Sequence, residues 1–352
     1  MENNRRIDWI DVLRFLGIFA IYLGHLGNQA GYFYPFVFRY HVPLFFFISG
    51  AMEVFTKTDL TFAEFFRKKI KSIVLPYFFF GVISIVLIFL SGNATVGTIS
   101  QTALQYILGI RNQLFAPALW FLPCLFVISL LFFILKKISK NRWVLLLLGL
   151  GMLVISETLL PHRPIVQPSW FWNIDSALYY FFYFILGYAV FPFITQFLSS
   201  KTRLARLGFA LSVIIATLYA GTLLIGIDLF AIGLKFIPGG NPIILVLGAI
   251  SLIWFNIFLA HLLSSVKIFK QLGRDTLYLC GSEQIIRHLV PPLFAIFGWN
   301  VMFASPVGAI IFTFMVLLAA RFGIIPFLKS IYSVLLDQVT PAVQSTPDQR
   351  LS

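Results

Sequence analysis

Charge is scarce in this chain, and negative charge most of all. Only 11% of its 352 residues are Asp, Glu, Lys or Arg, whereas a soluble domain carries about 25%. Acidic residues number 13 against 26 basic ones, which leaves a formal net charge of +13. With 59% hydrophobic residues, the chain has no room for a large soluble domain. The composition therefore predicts an integral membrane protein.

Cysteine and the common catalytic motifs are scarce as well. The two cysteines, Cys124 and Cys280, lie in separate apolar runs and offer neither a disulfide framework nor the spacing of a metal site. The sequence contains no P-loop, dinucleotide-binding fingerprint, HExxH or GxSxG motif. We therefore expect no metal and no redox cofactor. The polar residues within the apolar runs suit proton transfer and the orientation of anions.

Apolar stretches of about 20 residues, the length needed to cross a bilayer, follow one another along the sequence. We predict an all-α, polytopic membrane helix bundle with about ten transmembrane helices and both termini in the cytoplasm. The predicted spans cover about residues 9–31, 38–56, 72–91, 117–135, 143–160, 174–196, 205–226, 242–263, 275–297 and 300–320. Residues 1–321 would form the transmembrane domain. Residues 322–352 would form a cytoplasmic tail, with a short amphipathic helix and a disordered end.

The basic residues are distributed unevenly over the connections between these spans. With the N-terminus inside, the outer connections contain Arg111, Arg163 and Lys235, and most other basic residues lie in the inner connections and the termini. Basic residues gather in the cytoplasmic loops of membrane proteins. This asymmetry predicts the orientation and explains the net positive charge. We therefore expect contact with membrane lipid and no nucleic acid partner.

The first span contains the two most informative residues, Arg14 and His25. Eleven residues at about 100° each come to roughly 20° short of three full turns, so both side chains point from one helix face. They would lie roughly 16 Å apart along the helix axis. Charged or titratable side chains inside a bilayer are costly and persist mainly where they line a cavity or a substrate path. The pair therefore predicts a polar track that leads into the membrane.

Other polar and aromatic residues are predicted near this track. They are Arg39 and His41 at the start of the second span, Trp120 at the start of the fourth, and Glu283 and Arg287 in the ninth. Each has a structural alternative. The histidines can bond across helices, Glu283 and Arg287 can form an i,i+4 ion pair, and Trp120 can belong to an interfacial aromatic belt.

Four cations precede the third span: Arg67, Lys68, Lys69 and Lys71. The general cytoplasmic charge bias is one explanation for this cluster. The other is a phosphate-binding rim for an anionic cytoplasmic cofactor, which the cations would hold through charge-assisted hydrogen bonds. Arg14 lies just inside this rim.

Two stretches of the sequence resemble the start of the membrane acyltransferase-3 family, the bacterial O-acyltransferases of surface glycans: RIDWIDVLRFLGIFAIYLGH and YHVPLFFFISG. The family's first helix carries Arg or Lys, ten residues and then His, which here are Arg14 and His25. Its second helix begins with an aromatic-His-x-Pro run, matched by His41 and Pro43. A basic patch before the third helix and LWFL at the start of the fourth also match the family pattern.

The resemblance implies an O-acyltransferase in the bacterial inner membrane. Its donor would be cytoplasmic acyl-CoA, expected to be acetyl-CoA, and its acceptor a hydroxyl of a lipid-linked or exported glycan. His25 would act as a general base or as a transient acyl carrier. Arg14 would guide the pantetheine arm, and the basic rim at Arg67, Lys68, Lys69 and Lys71 would hold the nucleotide phosphates. Glycan-assembly proteins of the cell envelope would be its protein partners.

On the acceptor side the resemblance suggests Arg39, His41, Trp120 and Arg287 as substrate-binding residues. The chain departs from the family at two places. It has Ser72 where many relatives have a basic residue, and it has Ser282-Glu283-Gln284 where many have Leu-His-Pro. A carboxylate thus replaces an imidazole, and we include Glu283 in the catalytic set as a proton relay.

Two functions of other classes stay open at this point. A transporter or exporter of a glycan or a small solute would use the same polar track for conduction, although repeated halves and paired broken helices, which are typical of transporters, are not seen in the sequence. The second open function is that of a non-catalytic membrane subunit in a glycan-assembly complex.

Overall fold

The computed structural model describes residues 7–57, 59–90, 95–160, 164, 167–200, 202–229, 241–296 and 305–339. Every regular element in these ranges is helical, which confirms the all-α prediction. The α-helices are α1 (Asp8–Gly24), α2 (Phe33–Phe38), α3 (His41–Met52), α4 (Phe62–Lys69), α5 (Leu75–Leu90), α6 (Val96–Leu108), α7 (Phe121–Ile138), α8 (Arg142–Thr158), α9 (Ile174–Ser199), α10 (Arg203–Leu224), α11 (Asn241–Leu262), α12 (Lys267–Arg274), α13 (Thr276–Ile296), α14 (Pro306–Phe322) and α15 (Ile324–Val339). A π-helical turn, Ile70–Val74, joins α4 to α5.

Five helical stretches of the described residues are long and apolar enough to cross a membrane. They are Phe62–Leu90, Pro117–Ile138, Phe171–Ser199, Arg206–Leu224 and Ile243–Leu262. The pair α14 and α15, bent by 42°, raises the number to six if it is counted as one span. These lengths do not confirm a count of ten, because α1 and α8 have 17 residues each and α3 has 12. The count of ten and the location of the termini stay predictions.

Some short helices, α6 and α12 among them, lie where hydropathy predicts only connections. Helix α6 occupies part of the expected outer connection at about residues 92–116, and α12 occupies an expected inner one. A capping box between Thr95 and Thr98 begins α6, and its Thr102 and Tyr106 are buried. Short helices with one polar face escape a search for long apolar runs, because their mean hydropathy is low.

The first predicted span is also divided. Helix α1 ends at Gly24, and a 3₁₀ turn at Gly27–Ala30 and the short α2 follow it before α3 begins. His25 is therefore the C-cap of α1, where its backbone N–H donates to the carbonyl of Ile21 over 3.0 Å. The imidazole thus lies at the end of a helix, next to a break in the chain.

The amphipathic helix predicted in the tail is α15. Lys329 of α15 pairs with the buried Asp275, which Arg321 also contacts through its Nε at 2.6 Å. The Tyr332 hydroxyl donates to the carbonyl of Lys71 in the π-helical turn over 3.4 Å. These contacts dock the tail helix on the start of α13 and on the turn between α4 and α5. The end predicted to be disordered, residues 340–352, lies outside the described residues.

Helices α3 and α9 cross at two glycines. A Cβ added at Gly50 would lie 1.8 Å from the carbonyl oxygen of Phe184, and one added at Gly187 would lie 2.0 Å from that of Phe47. Small residues allow membrane helices to approach closely and to gain van der Waals contact where burial in lipid gives little driving force. Next to this crossing Phe46 stacks on Tyr180, with ring centroids 4.7 Å apart.

We predict that Gly50→Ala and Gly187→Ala each destabilise the protein by about 3 kcal/mol or more, because the added methyl group would overlap the backbone of the facing helix. Gly151→Ala in α8 is the matched control, since no atom lies within 4 Å of the added Cβ. Thermal unfolding of the purified protein in detergent measures the difference. Unfolding midpoints for the first two variants equal to that of Gly151→Ala would contradict the close crossing.

Candidate active site

A cavity of about 840 Å³ lies inside the bundle. Residues of α1, α2, α3, α7, α9, α11 and α13 line it, together with the π-helical turn and the segment that leads into α7. Arg14, about two turns into α1, and His25, its C-cap, both line this cavity. The helix therefore presents the two side chains to one space, as their spacing predicts.

 His25 contacts Glu283 of α13, a residue 258 positions later in the chain. In the structure the His25 Nδ1 lies 2.9 Å from the Glu283 Oε1. The Glu283 side chain is 1% exposed and that of His25 is 21% exposed, so the carboxylate is enclosed while the imidazole reaches the cavity. Nδ1 thus faces the carboxylate, and a proton on Nδ1 leaves Nε2 as the basic nitrogen.

Arg14 is held at the start of α1 by an acidic residue. Its Nη1 lies 3.4 Å from Asp11 Oδ1, the i,i+3 contact that the sequence suggests. The other oxygen of Asp11 accepts a hydrogen bond from Arg274 Nε over 2.8 Å. This hydrogen bond raises the pKa of Arg274, which therefore stays cationic. Lys270 adds a contact of 2.8 Å to Asp8, so α12 is fastened to the start of α1.

The four cations of the proposed rim have different surroundings. Lys69 pairs with the buried Glu53, so a carboxylate of the protein itself balances its charge. Arg67, Lys68 and Lys71 are exposed. Ser72, in the π-helical turn directly after Lys71, lines the cavity. π-Helical turns are frequent at functional sites, and this one places Ser72, next to the end of the basic run, on the cavity wall.

Three of the predicted acceptor-side residues line the same cavity: Arg39, His41 and Trp120. Arg39 Nη1 forms an ion pair of 2.8 Å with Asp228 Oδ2. His41 Nδ1 donates to the carbonyl of Val37 over 2.7 Å, which also leaves Nε2 as its basic nitrogen. Arg287 belongs to α13, but its side chain lies outside what the structure describes.

The structure adds residues that sequence reasoning did not place in the site. They are Arg111, Asn112, Tyr179, Tyr180 and Tyr183, all of which line the cavity. One signal pointed to the first of them, since Arg111 is among the few basic residues of the predicted outer connections. Nothing in the sequence predicted the three tyrosines as site residues. They lie in the aromatic run of α9, which carries no recognisable functional motif.

Arg111 is held in place by its neighbours. Its guanidinium lies 4.8 Å from the centre of the Trp120 ring, and its Nη2 donates to the carbonyl of Pro164 over 3.0 Å. Its backbone N–H donates to the Oδ1 of Asn173 over 2.9 Å. The side chain is thus fixed in position and orientation at the cavity wall.

Asn173 connects the segments around Arg111. It is fully buried, and its Nδ2 donates to the carbonyl of Gly109 over 2.6 Å. Its φ of 56° is in the left-handed region, as is that of Trp172 at 51°. Asparagine tolerates this conformation better than most residues, and strained backbone of this kind is common near functional sites.

We predict that Asn173→Ala and Asn173→Gly both destabilise the protein, by about 1–3 kcal/mol for the buried groups left without a partner. Alanine should cost about 1 kcal/mol more than glycine, because only alanine is strained at positive φ. Chemical or thermal unfolding in detergent gives both values. A Gly variant less stable than the Ala variant would show that backbone conformation has no part in the effect.

The apolar helices and the enclosed cavity define a membrane protein with an internal site. A family model described as an acyltransferase domain matches residues 7–321. The chain therefore belongs to the acyltransferase-3 family, and it is a membrane acyltransferase. Comparisons with curated proteins and with solved structures gave no significant match. Family membership favours the enzyme over the transporter and over the non-catalytic subunit.

Proposed function

We propose that this acyltransferase transfers an acetyl group from cytoplasmic acetyl-CoA to a hydroxyl of a lipid-linked or exported glycan, in the inner membrane of a bacterium. The observation that carries the proposal is the His25–Glu283 pair at the wall of a cavity that Arg14 also lines. An imidazole oriented by a carboxylate is suited to act as a general base.

The donor would enter from the side of Arg14. The exposed Arg67, Lys68 and Lys71 would contact the nucleotide phosphates, and Ser72 would lie beside the pantetheine arm at the cavity mouth. Arg14, oriented by Asp11, would direct that arm along α1. The rise of a helix puts His25 roughly 16 Å further along, a distance that suits the pantetheine arm.

In the chemical step His25 Nε2 would take the proton of the acceptor hydroxyl as its oxygen attacks the thioester carbonyl. The tetrahedral intermediate would then collapse with cleavage of the C–S bond. The CoA sulfur would leave as the thiolate and take up the proton from the imidazolium, which restores neutral His25. Glu283 would hold the imidazole in the required tautomer and stabilise the imidazolium between these two steps.

The acceptor would occupy the part of the cavity beyond His25. Trp120 and Tyr180 line the cavity, with ring centroids 5.6 Å apart, and Arg39 and His41 add polar groups to its wall. Aromatic faces offer rigid apolar area to a sugar ring. A donor and an acceptor that approach the imidazole from opposite sides would allow transfer without either crossing the membrane.

We predict that His25→Ala lowers acceptor O-acetylation by at least about 10²-fold, the lower range for removal of a general base. Glu283→Gln should lower it as well, because an amide cannot stabilise the imidazolium. Mass spectrometry of O-acetylated surface glycan from a complemented deletion strain provides the measurement. Thermal stabilisation of the purified variants by desulfo-CoA, a donor analogue without the reacting sulfur, should persist. Full activity of His25→Ala would overturn the proposed role.

A native cysteine reports on occupancy of the cavity. Cys280 lines it and is partly exposed, whereas Cys124 is buried. We predict that saturating desulfo-CoA slows alkylation of Cys280 by N-ethylmaleimide several-fold, measured by peptide mass spectrometry in the membrane. Cys124 serves as the internal control, and Cys280→Ser should remove the protected signal. An unchanged rate at Cys280 would count against binding of the donor in this cavity.

A further inference from the structure

Two cations outside the cavity meet at one aromatic ring. Lys136, close to the end of α7, has its Nζ 5.1 Å from the centre of the Tyr188 ring of α9. Arg142, the first residue of α8, has its Cζ 5.9 Å from the same centre. Neither cation belongs to the described lining of the cavity. The charge bias of the inner connections accounts for the side of the membrane on which both are predicted, but it does not explain why they share one ring.

The charge of this cluster is positive. The buried Glu53, at the end of α3, acts electrostatically on Lys136, and its carboxylate also contacts Lys69. These three cations and one carboxylate, with Arg142 as the third cation, therefore carry a net positive charge. Like charges brought close to one ring repel each other, and an anion bound beside them offsets that repulsion.

An exposed apolar face adjoins the cluster. Trp143, the residue after Arg142, is half exposed, and its ring lies 5.7 Å from that of the exposed Phe193 of α9. Leu147, one turn further along α8, is exposed as well. Tryptophan is enriched where lipid headgroups meet acyl chains, and in a membrane protein an exposed apolar face of this kind lies against those chains.

We infer that Lys136 and Arg142 bind the phosphate headgroup of an anionic phospholipid, whose acyl chains lie on Trp143, Phe193 and Leu147. A guanidinium and an ammonium both form charge-assisted hydrogen bonds to phosphate oxygens, and basic groups between helices on the cytoplasmic side are suited to lipid headgroups. A soluble anion would use the two cations alone, whereas a phospholipid also covers the exposed rings. The inference does not depend on the proposed function.

The test measures lipid binding to the full-length protein in detergent by native mass spectrometry. The probes are dioleoylphosphatidylglycerol, which is anionic, dioleoylphosphatidylcholine, which has the same chains and no net charge, and glycerophosphoglycerol, the anionic headgroup without chains. The wild-type protein should bind phosphatidylglycerol at least about tenfold more tightly than phosphatidylcholine, because each nearby cation favours an anionic lipid. It should bind the headgroup alone at least about tenfold more weakly than the whole lipid, because the acyl chains are missing.

The double variant Lys136→Gln/Arg142→Gln should lose the preference for the anionic lipid, and Lys136→Arg/Arg142→Lys, which keeps both charges, should retain most of it. Arg142→Gln alone, at a partly exposed position, should lower the preference about fivefold, so the test holds even where the double variant fails to fold. Lys140→Gln/Arg203→Gln is the matched control, because it removes one lysine and one arginine at exposed positions after α7 and at the start of α10. Its preference should equal that of the wild type.

Equal binding of the two lipids by the wild-type protein overturns the inference, as does binding of the headgroup as tightly as the whole lipid. A preference that persists in Arg142→Gln, or that falls as far in the Lys140→Gln/Arg203→Gln control, shows diffuse attraction by surface charge and overturns it too. The binding of phosphatidylglycerol is measured again with saturating desulfo-CoA and should not change. Displacement of the lipid by desulfo-CoA would assign these cations to the donor and would contradict a separate lipid site.

Discussion

A carboxylate enclosed in an apolar bundle requires a partner, and the rest of the site depends on how Glu283 finds one. Its side chain is 1% exposed, and His25 lies 2.9 Å away on another helix. An isolated ion at this depth would cost several kcal/mol, so separation of α1 from α13 is strongly opposed. The same contact orients the imidazole toward the cavity. One interaction thus joins two helices and orients the imidazole that we propose as the base.

The opposite end of α1 is fixed by a second set of charges. Asp8 and Asp11 connect α1 to Lys270 and Arg274 of α12. Since α1 is held at both ends, Arg14 and His25 keep a constant separation along the cavity wall. A transfer reaction between two bound substrates gains from such rigidity, because the reacting groups must be held in a narrow range of positions.

Much of the helical framework and part of the site could be predicted from the sequence. Apolar runs located the long helices, and helical periodicity placed Arg14 and His25 on one face. The same reasoning missed α6 and α12, whose polar faces lower their hydropathy, and it set Arg111 aside as one of a few cations outside. Its i,i+4 pairing of Glu283 with Arg287 stays a prediction, because the Arg287 side chain lies outside what the structure describes, and the contact of Glu283 with His25 was not predicted.

By itself the sequence determined the membrane character, the helical class and the presence of a polar track on the first helix. These follow from composition and from periodicity, which act over short stretches of chain. Only the tertiary structure decided which polar groups meet: Glu283 with His25, Asp228 with Arg39, and Asn173 with Arg111. Such contacts join residues far apart in the sequence, and they depend on how the helices pack rather than on any local pattern.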